Sequence, residues 1–183
     1  MSRLHTVTLE NANETQRQIL DTVKKKMGKI PNLVASMAQS PAAANVYLTG
    51  TEALSKGTLS AKFREKLSIT IAQANLCDYC LSAHTFVGGK LGIPADQLDA
   101  ARDGHASDAK EQAGLQFARR VVEQRGHLSD DEFQQVLDAG YTQGEVAEII
   151  ASVAINTYTN YFNHLSETEI DFPLVRSADR VTA

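Results

Sequence analysis

The sequence predicts an all-α protein, and three observations carry that prediction. Prolines occur only at positions 31, 41, 94 and 173, so the stretch from Ala95 to Phe172 contains nothing that must break a helix. No segment sustains the period-two alternation of a half-buried strand. Helix-opening signals also recur along the chain, with Ser129–Glu132 and Thr142–Glu145 both spaced as capping boxes. At 183 residues and 43% hydrophobic content the chain has the size and composition of a single domain with a real core.

Taken in order, residues 1–12 read as a polar lead. Asn13 then opens a helix that carries Ile19, Leu20, Val23 and Met27 on one face and stops at Gly28. Its Lys24-Lys25-Lys26 run reads as a solvated face near a helix C-terminus, where cations are favourable. A short helix around Leu33–Gln39 ends before Pro41. Ser40 caps the next helix with Pro41 at its first position, where a missing N–H costs nothing. That helix carries Ala44, Tyr47, Leu48 and Leu54 towards Gly57. Another spans about Ala61–Ala74, and another runs from about Ser107 to Arg125, closed by Gly126. The last opens at Thr142 and shows the cleanest helical period, with Val146, Ile149, Ile150, Val153, Ala154, Thr157 and Tyr161 on one apolar stripe. An extended tail is expected from about residue 166 to 183.

Charge and composition exclude several classes. Lys plus Arg number 18 against 22 Asp plus Glu, a net charge of −4, which leaves no basic footprint for nucleic acid. No uncharged apolar run approaches the ~18 residues of a membrane helix, and the N-terminus lacks the apolar stretch of a secretory signal. The expectation is a soluble, cytoplasmic protein.

The two cysteines are Cys77 and Cys80, a C-x-x-C with three candidate meanings. Haem attachment needs His directly after the second cysteine, where this chain has Leu81. Structural zinc needs four ligands, and beyond the pair only His84 and a distant His105 offer themselves. A redox dithiol is the leading reading. On a helix, Cys77, Cys80, Leu81, His84, Val87, Gly88 and Leu91 share one face, and Cys80 and His84 are neighbours at i and i+4. An imidazole beside a thiol can take its proton and stabilise the reactive thiolate. A helix start near Asn75 or Leu76 would favour Cys77 instead, through the helix dipole.

The preceding helix is apolar on two sides. Phe63, Leu67, Thr70, Ile71 and Ala74 form one stripe and Glu65, Ile69, Ala72 and Leu76 the other, with Lys62, Lys66, Gln73, Arg64 and Ser68 in the seams. Glu65 is the odd member of a buried stripe, and a carboxylate without water needs a partner. In one straight helix it would stand ~18 Å from Cys77. A reversal near Asn75 instead places Glu65 and His84 at nearly equal distances from the bend, on antiparallel helices. That predicts a relay from Glu65 through His84 to Cys80. The competing reading makes the cysteines small core hydrophobes and Glu65 one half of a structural ion pair.

The full pattern, Glu65, eleven residues, Cys77-Asp78-Tyr79-Cys80, three residues, His84, resembles the motif of the alkyl hydroperoxidase D (AhpD)-like proteins of the carboxymuconolactone decarboxylase superfamily. Other stretches resemble its peroxidase-related branch: Gly28-Lys29-Ile30-Pro31-Asn32, Ser40-Pro41, Arg64-Glu65-Lys66-Leu67, and Asn160-Tyr161-Phe162-Asn163-His164 running to Asp171-Phe172-Pro173. The resemblance implies an AhpD-like helical fold, a homo-oligomer (trimer, hexamer or dimer-based), and a thiol peroxidase without metal, haem or other cofactor. It implies that Cys80 attacks a hydroperoxide and becomes a sulfenic acid. Cys77 would resolve it as a disulfide, an external dithiol would reduce that disulfide, and Glu65 and His84 would form the proton relay. Well-known members carry a His between the cysteines, where this chain has Asp78-Tyr79, and an acid beside Cys77 opposes thiolate formation there. His5, His105 and His127 read as surface residues, and His164 and Tyr161 as packing or subunit-contact residues. The alternatives are a lactone decarboxylase with incidental cysteines and a non-catalytic oligomeric redox sensor.

Overall fold

The computed structural model describes residues 2–180; Met1 of the expected lead and residues 181–183 of the expected tail lie outside the described residues. Among the described residues the regular structure is all helical: α1 (Glu14–Met27), α2 (Asn32–Met37), α3 (Pro41–Ser55), α4 (Ala61–Ala74), α5 (Asp78–Lys90), α6 (Ala95–Arg102), α7 (Ala109–Glu123), α8 (Asp130–Asp138) and α9 (Gln143–Ser166), then a 3-10 turn at Ser177–Arg180. None of these helices is long and apolar enough to cross a membrane.

Helix starts follow local chemistry closely. Asn13, Ser129 and Thr142 each form a complete capping box, and Ser40, Ser60 and Asp108 each accept a backbone N–H three residues on. Asp108, rather than Ser107, therefore opens α7. Gly28 closes α1 at φ 77°, a left-handed conformation that glycine adopts without strain. The lead is pinned by backbone bonds from Val7 N–H to the Ala35 carbonyl and from Arg3 N–H to that of Ser166. α6 is an element the sequence reading does not contain: eight residues after Pro94, too short to show a clear period.

The centre of the fold is α4, which packs against α5, α6, α7 and α9. Its Leu67, Ile69 and Ile71 are fully buried, and each such side chain contributes about 1.5–3 kcal/mol of hydrophobic stabilisation. Its polar seams are buried too: Lys66, Ser68 and Gln73 are all less than 10% exposed. Each is buried with a partner. The Lys66 ammonium meets Glu111 of α7 at 2.6 Å, Ser68 donates to the Arg64 carbonyl, and the Gln73 amide bridges Arg102 and the Ser177 carbonyl. Neighbours thus surround the helix, a tertiary fact that a single-helix pattern does not carry.

Two further corrections concern faces. Met27 is half exposed, and Leu76 and Leu91, expected on packed faces, are also exposed because both lie in the turns that end their helices. In α9 the expected stripe holds only at Val146, Ile149 and Val153. Ile150, Ala154 and Tyr161 face outward, and the buried face continues as Ser152, Asn156, Thr159, Asn160, Asn163 and Ser166. The apolar period misled because the inward half of this helix is polar.

Gly114 of α7 lets α4 and α7 approach: a methyl group there would meet the Phe63 ring at 2.7 Å and also the Tyr141 hydroxyl. Gly114→Ala is therefore expected to lower stability by about 1–3 kcal/mol, through overpacking. The shift in the urea unfolding midpoint at unchanged slope measures this, and an unchanged midpoint would show that the interface can open without cost.

Candidate redox site at the α4–α5 junction

Three residues, Asn75, Leu76 and Cys77, turn the chain from α4 into α5. Leu76 sits at φ 56°, Cys77 N–H bonds back to the Ala72 carbonyl and Leu76 N–H to that of Gln73, the paired bonds of a Schellman ending. Cys77 is also the N-cap of α5, its sulfur accepting the Cys80 N–H at 3.3 Å. One cysteine thus closes the first helix and opens the second, so it stands at the helix start rather than on the helical face expected for it.

The turn brings α4 and α5 side by side, and across them His84 Nδ1 lies 2.8 Å from Glu65 Oε2. Both side chains are largely buried, at 24% and 19% exposure. Burial alone would drive the imidazole to its neutral form; the Glu65 charge and hydrogen bond, together with Cys80, outweigh it and raise the His84 pKa. His84 is one helical turn after Cys80, which is 3% exposed, while Cys77 is fully buried; both are free thiols.

The two sulfurs are driven in opposite directions. At Cys80 burial opposes ionisation, but the Cys77 hydrogen bond, the charge on His84 and the amides of Asn163 and Asn160 outweigh it and bring the thiol down to about 7. Cys77 is pushed far above the ordinary thiol range, because it donates its hydrogen bond to Cys80 and is itself desolvated.

Asn163 donates to Cys80 Sγ at 3.2 Å. Asn160 turns its amide towards the same sulfur without closing a hydrogen bond: its oxygen accepts from Asn75 at 2.8 Å, and its nitrogen is buried and unpartnered. The inward polar half of α9 is thus a shell of amide N–H groups around a sulfur that can become an anion. Both asparagines stand in the sequence as an Asn-x-x-x-Asn-x-x-Asn period at 156, 160 and 163, the signal from which an inward polar face of this helix can be read.

Cys80, Glu65 and His84 line a cavity of about 160 Å³ whose other walls include Leu33, Tyr47, Tyr79, Val87 and Phe172. Tyr47, unremarked beyond its helix face, carries its hydroxyl into this interior. Burial, with the charges of Glu65 and Cys80, pushes its pKa up to about 12, so it remains a donor. Tyr79, inside the C-x-x-C, donates to Asp171 at 2.8 Å and accepts the Leu33 N–H at 3.1 Å. Asp171 also holds Lys29 at 2.9 Å, and Phe172 packs edge-on against Tyr79. Further along, Asp78 accepts both the N–H and the hydroxyl of Ser177, while Ser82 accepts the Val175 N–H. The tail beyond α9 is a strap across the first turn of α5. His5, His105 and His127 are exposed, and among the described residues no three His, Cys, Asp or Glu side chains form a metal-holding group.

The amide shell has a measurable consequence. The thiolate of Cys80 is present above its pKa and lost as pH falls below it, so alkylation of Cys80 should rise through a midpoint near 7. Asn163→Leu removes the donor and should move that midpoint upward by about one unit. Iodoacetamide rates followed across pH test this; an unmoved midpoint would show that the amide does not support the charge.

Comparison with known proteins adds the context. Residues 38–124 match the carboxymuconolactone decarboxylase family. No curated protein matches the chain. Among solved structures, an uncharacterised peroxidase-related protein with an alkylhydroperoxidase AhpD core from Ralstonia eutropha JMP134 superposes with a TM-score of 0.81 at 23% identity, over 93% of this chain and 92% of that one. A peroxidase-related protein from Silicibacter sp. TM1040 gives 0.77 at 17%, over 86% and 87%. The debrominase Bmp8 in complex with 2,3,4-tribromopyrrole gives 0.78 at 19%, over 92% and 91%. The family match covers residues 38–124, and the chain as a whole shares the all-helical fold of these solved structures.

Proposed function

We propose that the protein is a thiol-dependent peroxidase working through a dithiol–disulfide cycle. The observation that carries this reading is geometric: two adjacent buried free sulfurs, with Cys80 accepting from the Asn163 amide at 3.2 Å and standing one helical turn before His84, which Glu65 holds at 2.8 Å. Such a pair divides naturally into a nucleophile and a resolving thiol.

In the cycle, His84 holds the proton given up by Cys80. The Cys80 thiolate attacks the terminal oxygen of a hydroperoxide ROOH; the S–O bond forms, the O–O bond breaks, and the departing alkoxide takes that proton and leaves as ROH. Cys77 then attacks the Cys80 sulfenic acid, its proton passing to the departing hydroxide, so that water and the Cys77–Cys80 disulfide result. An external dithiol restores both thiols and is itself oxidised to a disulfide. Glu65 keeps the imidazole oriented and favours its cationic form until the proton passes to the alkoxide. No cofactor is needed for this balance. The outward apolar side chains of α9, Ile150, Tyr161 and Leu165, support a homo-oligomer, and the two free thiols fit a reducing, cytoplasmic setting.

A second reading shares the same thiolate. The apolar, partly aromatic cavity and the likeness to a debrominase favour reductive dehalogenation of a small halogenated ring, in which two thiols supply the electrons and a halide leaves. Lactone decarboxylation gains nothing from two buried sulfurs of opposed proton affinity.

Peroxide consumption with excess dithiothreitol should disappear in Cys80→Ser, and Cys77→Ser should stop after one turnover as a sulfenic acid trapped by dimedone. Glu65→Gln should slow the oxidative step by about 100-fold, the usual scale of lost acid–base assistance. The wild-type oxidative rate should rise as pH increases through about 7. Undiminished peroxide turnover in Cys80→Ser would end the peroxidase reading; halide release from a bromopyrrole without peroxide turnover would select the second.

A further inference from the structure

The two sulfurs open onto different cavities. Cys80 lines the chamber that holds Glu65 and His84, and Cys77 does not. Cys77 lines a separate, more open cavity of about 200 Å³ on the other side of the turn, with Leu76, Asp78, Asn163, His164, Thr168 and Ile170 around it, and Cys80 does not reach it. Tyr79 borders both. We propose that this second cavity is the entry site of the reductant, a slender dithiol whose thiolate attacks Cys77, so that peroxide and reductant use opposite doors to one disulfide.

This rests on the dithiol–disulfide cycle proposed above, and two independent arguments support it. Disulfide exchange is an in-line displacement: the incoming sulfur, the attacked sulfur and the leaving sulfur lie close to one line. A thiolate attacking Cys77 must therefore approach from the side away from Cys80, and the second cavity touches Cys77 without touching Cys80. The leaving group decides between the two sulfurs, because exchange is faster when the more acidic thiol departs. Cys80 is the more acidic, and Asn163, which borders the second cavity, donates to its sulfur. Its side-chain oxygen is buried and makes no hydrogen bond. Cys77 itself is fully buried, so a broad, rigid surface cannot present a sulfur to it, whereas a small dithiol in the cavity can. Asp78 does not obstruct this attack, since its carboxylate is engaged by Ser177 and Cys77, as the attacked sulfur of a disulfide, carries no charge in this step.

The steps balance. One thiolate of the dithiol attacks Cys77; the new S–S bond to Cys77 forms, the Cys77–Cys80 bond breaks, and Cys80 leaves as the thiolate. The second thiol of the donor then attacks its own sulfur in the mixed disulfide, releasing Cys77, which takes up the proton, and leaving the donor as a cyclic disulfide. Two electrons pass from donor to protein, and the pair is ready for another peroxide.

The test uses full-length protein oxidised with diamide, so that the disulfide forms whether or not a peroxide can form it. Brief exposure to cysteamine, an acid quench and alkylation of the freed thiol should leave cysteamine on Cys77 and the alkyl group on Cys80, as read by fragment mass spectrometry. His164→Trp, at an exposed position bordering the second cavity, should slow reduction by dithiothreitol at least about tenfold while the rate of oxidation of the reduced protein stays within about twofold. Cysteamine on Cys80, or unchanged reduction in His164→Trp, overturns the two-door arrangement and leaves the cycle standing. Failure of diamide to join Cys77 to Cys80 overturns both.

Discussion

A sulfur inside a helical core can ionise only where other groups replace water, and such groups converge on Cys80. An isolated anion there would be driven to its neutral form. The compensation comes from three directions: a hydrogen bond from Cys77 at the start of α5, the His84 imidazole one turn later held by Glu65 of α4, and amides from α9. No single helix supplies enough, so the site exists only when α4, α5 and α9 are packed together. The burial of α4 on every side is what makes that packing rigid enough to hold a 2.8 Å contact between Glu65 and His84.

The junction between α4 and α5 shows how local and tertiary requirements meet. Leu76 adopts a left-handed conformation that costs an ordinary residue about 1–2 kcal/mol, and in return the chain reverses within three residues. Asn75 caps the first helix and also donates to Asn160, tying the turn to the helix that shields the sulfur. The strap beyond α9 completes the arrangement from the other side, with Asp171 fastening Tyr79 and Ser177 fastening Asp78. Both residues between the cysteines are therefore used structurally.

Much of this was legible in the sequence, for definite reasons. Caps are local: Asn13, Ser40, Ser129 and Thr142 announce helices through hydrogen bonds made within three residues. Glu65 stood out because a carboxylate in an apolar stripe violates a local rule, and its spacing from His84 makes sense only across a turn. What escaped was non-local. Burial of Lys66 and Gln73 depends on Glu111 and Arg102, far along the chain. The role of Asn163 depends on which side of α9 meets Cys80, and apolar periodicity pointed to the wrong side there because the inward face is polar. The strap has no period at all, and only its partners on α5 reveal it.

The buried amides of Asn160 and Asn163 bear on energetics as well as on protonation. They favour one form of the couple, the ionised thiol, and have no comparable hold on a neutral disulfide. Whatever stabilises the reduced form raises the reduction potential. In the proposed cycle that tilts the Cys77–Cys80 couple towards accepting electrons.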